Sequence, residues 1–210
     1  MKKAGLSLAF FAFISVLFVA TTDYLTANKI AENKAMMLLL ALNEVASENT
    51  YDNDLLNSKV ILKPVGSGFI RNTPVYLATK NGIPVTSIFE VTTLKGYSGA
   101  ITLLIGINAR DKNITGVRVV QHKETPGLGD KMETRKSNWV MSFNGKSLGN
   151  PESNAWQVKK DGGDFDQFTG ATITPRAIVN VVKSTLLYAQ DNMNALFEIN
   201  AKSQNNKVTQ

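Results

Sequence analysis

The sequence predicts an α+β fold in which an N-terminal transmembrane helix is followed by a single periplasmic domain with a largely antiparallel β-sheet and flanking helices. Three observations predict this fold: an uncharged apolar stretch near the N-terminus, four strand-like segments joined by short turns, and a capped amphipathic helix towards the C-terminus. They divide the chain into a membrane anchor at residues 1–24, a membrane-proximal helical segment at 25–58, a folded domain at 59–199 and a disordered polar tail at 200–210.

The candidate membrane anchor is the uncharged apolar stretch at residues 4–22. As a helix it would extend roughly 28 Å, close to the thickness of the hydrocarbon core of a bilayer. Lys2 and Lys3 precede it and Asp23 follows it. The positive-inside rule therefore predicts a single pass through the cell inner membrane, with a cytoplasmic N-terminus and a periplasmic main domain.

A cleaved signal peptide shares the charged start and the apolar middle, so it is the competing interpretation of this stretch. However, Val19-Ala20-Thr21 is a poor cleavage site, and composition typical of a helix continues from Lys29 to Val45. We therefore expect the segment to be retained as an anchor, with a helix rising from the membrane behind it.

The predicted sheet rests on four segments in succession. Asn81-Gly82 is a strong two-residue hairpin signal, and the segments on either side of it have strand-like composition. Two more such segments follow after short turns, which favours antiparallel pairing. The predicted strands are Pro74–Lys80, Ile83–Leu94, Ala100–Asn108 and Asn113–Gln121.

Three elements are predicted after the sheet. Lys131–Phe143 is expected to be a short helical region, with Trp139 and Phe143 facing the core, and Trp156–Lys160 to be a further strand. Thr174 is a suitable N-cap and Pro175 suits the first helical position, so a long helix is predicted from Pro175 to about Ile199.

The segment just before this helix ends in a candidate covalent site. It reads Asp-Gln-Phe-Thr-Gly-Ala-Thr and ends at Thr172, preceded by Thr169, Gly170 and Ala171. The first amides of a helix lack intrahelical acceptors and lie at the positive end of its dipole, so they stabilise a nearby phosphate. An ordinary capped helix start is the alternative interpretation of the same residues.

A second candidate binding segment is the loop His-Lys-Glu-Thr-Pro-Gly-Leu-Gly-Asp at residues 122–130. Gly127 and Gly129 permit close backbone approach to a flat ligand, with Leu128 between them, and Glu124 and Thr125 supply polar groups. The alternative is a tight connection with solvated charges. Lys95–Ala100, which reads Lys-Gly-Tyr-Ser-Gly-Ala, is a third and weaker signal.

Composition restricts the chemistry. The chain has no cysteine and a single histidine, His122, which excludes disulfides, cysteine-ligated clusters and sites with two histidine ligands. A redox group would therefore have to be an organic cofactor. The acids at residues 161, 164 and 166 do not fit a calcium loop, because Thr172 stands where the twelfth-position Glu would be. The net charge is +6, but the sequence contains no run of basic residues interleaved with aromatic residues. No nucleic-acid partner is therefore expected.

The three signals together resemble the FMN-binding domains of bacterial membrane electron-transport complexes. The resemblance covers most of residues 70–190 and is greatest to the G subunits of the Rnf (Rsx) ion-translocating complexes. It implies FMN joined by a phosphoester to Thr172, installed by a separate flavin transferase that recognises Asp166. The residues expected at the cofactor are Thr169, Gly170, Ala171, Thr172, Glu124, Thr125, Gly127 and Leu128, with no catalytic or metal-ligating residue.

The function implied by this resemblance is electron relay without independent turnover. In that family electrons pass between a nicotinamide nucleotide and a low-potential carrier such as ferredoxin, coupled to ion movement, so the implied partners are the other subunits of the membrane complex. Two alternatives stay open: the C subunit of the sodium-pumping NADH:quinone oxidoreductase, and an anchored binding or assembly module without flavin.

Overall fold

The computed structural model describes residues 2–64 and 69–208, and this part of the chain contains two long helices and a five-stranded sheet. Met1–Leu40 and Ala41–Gln210 are two separate units. The main elements are α1 (Lys2–Val45), β1 (Lys59–Leu62), β2 (Thr73–Lys80), β3 (Ile83–Thr93), β4 (Ile101–Asn108), β5 (Ile114–Gln121) and α2 (Ile173–Val208).

Helix α1 has the composition of a membrane span. Within Gly5–Val45, an 18-residue window has a mean hydropathy of 2.1, and no residue of that window is buried. Hydroxyl groups in it donate to carbonyls one turn earlier, as Ser15 does to Phe11 at 2.9 Å and Thr21 to Leu17 at 2.7 Å. Such internal pairing keeps polar groups satisfied in lipid. The described chain thus has the predicted helix, long and apolar enough to span a membrane, and it continues unbroken to Val45.

The sheet has strand order β1-β2-β3-β4-β5, and every neighbouring pair is antiparallel. This confirms the predicted fold class, and the four predicted strands match β2 to β5 within about one residue. β1 was not predicted, because it has only four residues, too few for an alternating pattern to be recognised.

Helix α2 supplies one wall of the core. Its buried side chains recur every three or four residues, as expected for one face of an amphipathic helix. They pack with the inward-facing residues of the sheet, and Phe89 and Tyr188 make an edge-to-face ring contact at 6.2 Å. The buried residues of α2 include Ala177, Ile178, Val179, Val181, Val182, Thr185, Leu186, Ala189, Met193 and Leu196.

Two predicted elements differ from the structure. Lys131–Phe143 does not form one helical region; it contains the end of a 3-10 helix at Gly129–Met132 and a second one at Trp139–Phe143. Trp139 and Phe143 do pack edge-to-face at 5.3 Å. Trp156–Lys160 is not a strand, because the chain reverses at Gly162-Gly163 and only Val158 forms a bridge, with Phe165.

Both ends of α2 also differ from the prediction. The helix begins at Ile173, two residues before Pro175, and continues to Val208. The predicted disordered tail is therefore helical over residues 200–208, a stretch that contains neither glycine nor proline to stop a helix.

Candidate functional site

A cleft of about 490 Å³ lies where β3 and β5 end and α2 begins. β3 and β5 both pair antiparallel with β4, so they run in the same direction and their last residues reach the same end of the sheet. The volume is within the usual range for small-molecule sites. The residues that line the cleft are Tyr97, Glu124, Thr125, Leu128, Gly129, Lys160, Gly170, Ala171, Thr172 and Ile173.

Thr172 occupies the N-cap position of α2. It directly precedes the first helical residue, and its carbonyl accepts a hydrogen bond from the Arg176 amide at 3.3 Å. The next two amides, of Ile173 and Thr174, have no acceptor available within the helix, and Pro175 has no N–H at all. The half-buried Thr172 side chain therefore lies at the positive end of a 36-residue helix.

The turn before Thr172 has a defined geometry. The Ala171 amide donates to the Phe168 carbonyl at 3.1 Å, and Gly170, the third residue of this turn, has φ +81°. A type II turn requires a positive φ at this position, which favours glycine. Trp139 anchors the turn from outside, since its indole N–H donates to the Asp166 carbonyl at 2.7 Å and its ring packs on Phe168 at 5.0 Å.

Thr174, predicted as the N-cap, has a different role. Its side chain is fully buried, and its hydroxyl donates to Glu124 Oε2 at 2.7 Å. The other oxygen, Oε1, accepts the Ser98 amide at 2.9 Å. The buried Glu124 carboxylate therefore links the loop after β3, the loop after β5 and the start of α2.

Glycines leave room for this carboxylate on both sides. A β-carbon added at Gly129 would lie 2.7 Å from Glu124 Oε2, and one added at Gly96 would lie 2.9 Å from Oε1 and 2.4 Å from the Gly99 carbonyl oxygen. Neither position has space for a side chain. We call Gly96, Ser98, Glu124, Gly129 and Thr174 the frame of the cleft.

The loop after β5 is ordered by its own hydrogen bonds. The Thr125 carbonyl accepts the amides of Leu128 and Gly129 at 3.1 and 3.2 Å, and the buried Asp130 carboxylate accepts the Gly127 amide at 2.8 Å. Leu128 Cδ2 lies 3.5 Å from where a β-carbon on Gly170 would stand. The two main sequence signals, far apart along the chain, therefore meet in space.

His122 is fully engaged beside this loop. Its Nδ1 accepts the Glu124 amide at 3.1 Å, and its Nε2 lies 2.9 Å from Glu133 Oε1. These contacts correspond to the tautomer with the proton on Nε2. Hydrogen bonds from Arg135 and then from His122 hold the pKa of Glu133 below its usual range. His122 is thus a partnered residue at the end of a strand and does not line the cleft.

Four side chains at the mouth of the cleft contrast with the frame, and we call them the rim: Tyr97, Leu128, Lys160 and Ile173. Tyr97, Leu128 and Ile173 are 71, 44 and 45% exposed, although they are large and hydrophobic. Together they present an apolar surface to solvent around Thr172.

Two acidic residues of the segment before Thr172, Asp161 and Asp166, pair with bases. Asp161 accepts two hydrogen bonds from the Arg176 guanidinium, at 2.6 and 2.7 Å, and Asp166 pairs with Lys159 at 2.6 Å. The hydrogen bonds from Arg176 hold the pKa of Asp161 below its usual range, and the charge of Lys160 adds a smaller effect.

Six of the eight residues predicted at the cofactor line the cleft, whereas Thr169 and Gly127 do not. Thr169 is exposed on the turn, and Gly127 faces open space. Four lining residues were not among the eight: Tyr97, Gly129, Lys160 and Ile173. Tyr97 and Gly129 belong to the recognised signals, but no local pattern marks Lys160 or Ile173.

Two family models and a solved structure match parts of the chain. A family model described as "FMN-binding domain" matches residues 96–187, a range that contains every residue lining the cleft, and one described as "RnfG N-terminal region" matches residues 1–45. The solved structure of Shewanella oneidensis NqrC aligns with a TM-score of 0.49 at 22% identity, covering 72% of this chain and 77% of that one.

Curated relatives match over nearly the whole length. The G subunit of the ion-translocating oxidoreductase complex of Photorhabdus laumondii is 48% identical over 90% of both chains. Those of Vibrio atlanticus and Pseudoalteromonas atlantica are 44 and 45% identical over at least 92% of each chain. These matches favour the G subunit over the alternative of the sodium-pumping C subunit. The chain belongs to the family of G subunits of ion-translocating oxidoreductase complexes.

Proposed function

We propose that the cleft holds FMN, that Thr172 carries it through a phosphoester, and that the chain relays electrons within an ion-translocating complex. The observation that carries the proposal is the position of Thr172 at the N-cap of α2, on the wall of a cleft of suitable size. The match to the FMN-binding domain over residues 96–187 and the names of the relatives support the cofactor and the complex.

The N-terminus of α2 suits a phosphate attached to Thr172. The bond would join Thr172 Oγ1 to the FMN phosphorus of an activated flavin donor: the hydroxyl loses its proton, and the bond between this phosphorus and the donor's leaving group breaks, so that group departs with the bonding electron pair. The amides of Ile173 and Thr174 lack acceptors within the helix and lie beside this hydroxyl, so they can donate to phosphate oxygens. A negative charge at this position is also favoured by the helix dipole.

The cleft offers no base to activate the threonine. Among its lining residues the one carboxylate is Glu124, and both of its oxygens already accept hydrogen bonds. His122 has both ring nitrogens engaged outside the cleft. Activation of the hydroxyl therefore falls to a separate flavin transferase, which would recognise the exposed Asp166 and its partner Lys159 on the motif surface.

The rim suits the flavin ring. FMN supplies the reversible electron uptake and release that the chain, without cysteine, does not supply by itself. Tyr97, Leu128 and Ile173 would pack against the isoalloxazine and bury apolar surface that is otherwise exposed. The frame would keep the three segments that carry these side chains in register.

We further propose that α1 anchors the chain in the cell inner membrane with the domain in the periplasm, next to the other subunits. Lys2 and Lys3 before the apolar stretch support this orientation. A reporter that functions only in the periplasm, fused behind Gln210, is expected to be active. Activity of a cytoplasmic reporter at the same position would reverse the orientation.

The attachment is tested by intact mass and in-gel flavin fluorescence of the chain made with and without a flavin transferase. Thr172→Ala is expected to lose all covalent flavin, whereas Thr172→Ser retains part of it. Thr169→Ala is the matched control, because it removes a threonine of the same motif that lies outside the cleft. Flavin that persists in denatured Thr172→Ala protein would refute the assignment.

A further inference from the structure

The basic residues next to Thr172 are not equivalent. Lys159 pairs with Asp166, and Arg176 holds Asp161 through two hydrogen bonds. Lys160 lies between these two pairs in sequence and lines the cleft. Its ammonium group makes no hydrogen bond and no ion pair within 4 Å in the part of the chain that the structure describes.

No carboxylate in the cleft is available to neutralise Lys160. The charge of Lys160 acts on Asp161, but both oxygens of Asp161 already accept hydrogen bonds from Arg176. Glu124 is buried and has both oxygens engaged. The described cleft therefore has a cation at its mouth and no free anion to pair with it.

The backbone of Lys160 is fixed relative to the threonine motif. The Lys160 amide donates to Gln167 Oε1 at 3.3 Å, and the preceding amide of Lys159 donates to the Phe165 carbonyl at 2.7 Å. Residues 159–161 form a short 3-10 turn. The flexible part is thus limited to the side chain, whose ammonium can move to meet a ligand in the cleft.

We propose that the Lys160 ammonium group pairs with the phosphodiester of the flavin carried by Thr172, and this rests on the proposed function above. A phosphodiester keeps one negative charge at neutral pH, and the first amides of α2 provide donors but no full positive charge. Lys160, which lines the same cleft, supplies that charge. It is a binding residue for the cofactor.

The first test compares amine labelling in two forms of the full-length chain in detergent. The flavinylated chain and the Thr172→Ala chain are treated briefly with an acetylating reagent, and each lysine is quantified by peptide mass spectrometry. Lys160 is expected to react about fivefold more slowly in the flavinylated form, with protection that decreases as salt is added. Lys59, exposed at the start of edge strand β1, is the internal control and should react equally in both forms.

The second test distinguishes binding of the flavin phosphate from binding of the flavin ring. In the Thr172→Ala chain, affinities for free FMN and for riboflavin are measured by fluorescence quenching. Lys160→Gln is expected to weaken FMN about fivefold at low salt and to leave riboflavin unchanged, whereas Lys160→Arg and Lys59→Gln change neither.

The two proposals fail in different ways. Absence of a mass increase on the native chain contradicts the proposed function. Flavin on Thr172 with unchanged labelling of Lys160, or FMN affinity unaffected by Lys160→Gln, overturns the inference alone. Protection of Lys160 that persists at high salt also overturns it, because coverage by the ring would then explain the result. The labelling test decides even if the Thr172→Ala chain binds free flavin too weakly to measure.

Discussion

The frame and the rim of the cleft differ in packing and hydrogen bonding, although the rim residues Tyr97, Leu128 and Ile173 each adjoin a frame residue in sequence. Frame residues are closely packed and have their polar atoms paired, as Glu124 is with Ser98 and Thr174. Rim residues are exposed, and the Lys160 ammonium has no hydrogen-bond or ion-pair partner among the described residues. The difference indicates that the frame serves the fold, whereas the rim leaves interactions available to a ligand. Substitutions should therefore act on stability in the first group and on the flavin in the second.

The largest effect on stability is expected for Glu124→Ala. This change leaves the buried Thr174 hydroxyl unpaired and removes the acceptor of the Ser98 amide, and the free energy of unfolding should fall by about 3 kcal/mol. Urea unfolding followed by the fluorescence of Trp139 and Trp156 measures it. Glu124→Gln retains a carbonyl oxygen that can accept from the Ser98 amide and an amide group that can pair with the Thr174 hydroxyl. Its free energy of unfolding should therefore fall by only about 1 kcal/mol. If Glu124→Ala and the parent had equal free energies of unfolding, Glu124 would not stabilise the domain as the frame requires.

The second effect concerns the two glycines of the loop after β5. The sequence suggests equivalent roles near the flavin for Gly127 and Gly129, but only Gly129 lies against Glu124. Gly129→Val should therefore destabilise the domain by about 2 kcal/mol through overpacking. Gly127→Asn is the control, because a side chain there meets open space and asparagine tolerates the φ of +80°. If both variants lose the same stability, backbone strain and not contact with Glu124 is the cause.

The third prediction concerns the rim. Leu128→Ala should change the free energy of unfolding by less than about 0.5 kcal/mol, since the side chain is 44% exposed. In the flavinylated chain it should alter the visible spectrum and the reduction potential of the flavin. Leu187→Ala, 48% exposed on α2 and outside the cleft, is the matched control. A flavin spectrum and potential identical to those of the parent would contradict the assignment of Leu128 as a ring contact.

The same contrast explains what the sequence predicts well and what it does not. The hairpin at Asn81-Gly82 and the position of Thr172 just before a helix depend on adjacent residues, so local patterns predict them. The start of α2 was misplaced because Thr172 and Thr174 are equally good N-caps by sequence. The choice between them depends on Glu124, which lies 50 residues from Thr174 and holds its hydroxyl.

Residues brought to the cleft by tertiary folding leave no local signal. Lys160 reaches the cleft because the chain reverses after it at Gly162, and it resembles any solvated lysine in the sequence. Tyr97 lies in a recognised motif, yet nothing in that motif distinguishes a packed ring from an exposed one. Residues such as Lys160 are therefore identified only from the structure, which shows that its charged neighbours Lys159 and Asp161 are paired and that Lys160 is not, within the described part of the chain.

A small, pH-dependent effect is expected at Glu133, which supports the frame from outside through His122. Because hydrogen bonds from Arg135 and His122 lower its pKa from about 4.5, Glu133 contributes stability that is fully present above that value. This contribution should be lost as the pH falls through the lower pKa of the folded state.

Glu133→Gln removes the titrating group, so the parent should exceed the variant in unfolding free energy by less than about 1 kcal/mol above pH 5. The difference should shrink below about pH 4.5, where Glu133 takes up a proton first in the unfolded chain and then in the folded one. Urea unfolding of both proteins from above pH 5 to well below pH 4.5 measures it, and Arg135→Gln should reduce the difference because Arg135 contributes most to lowering the pKa of Glu133. A difference that grows as the pH falls would have the wrong sign for a carboxylate stabilised in its charged form, and Glu133 would then not hold His122 against the loop as an anion.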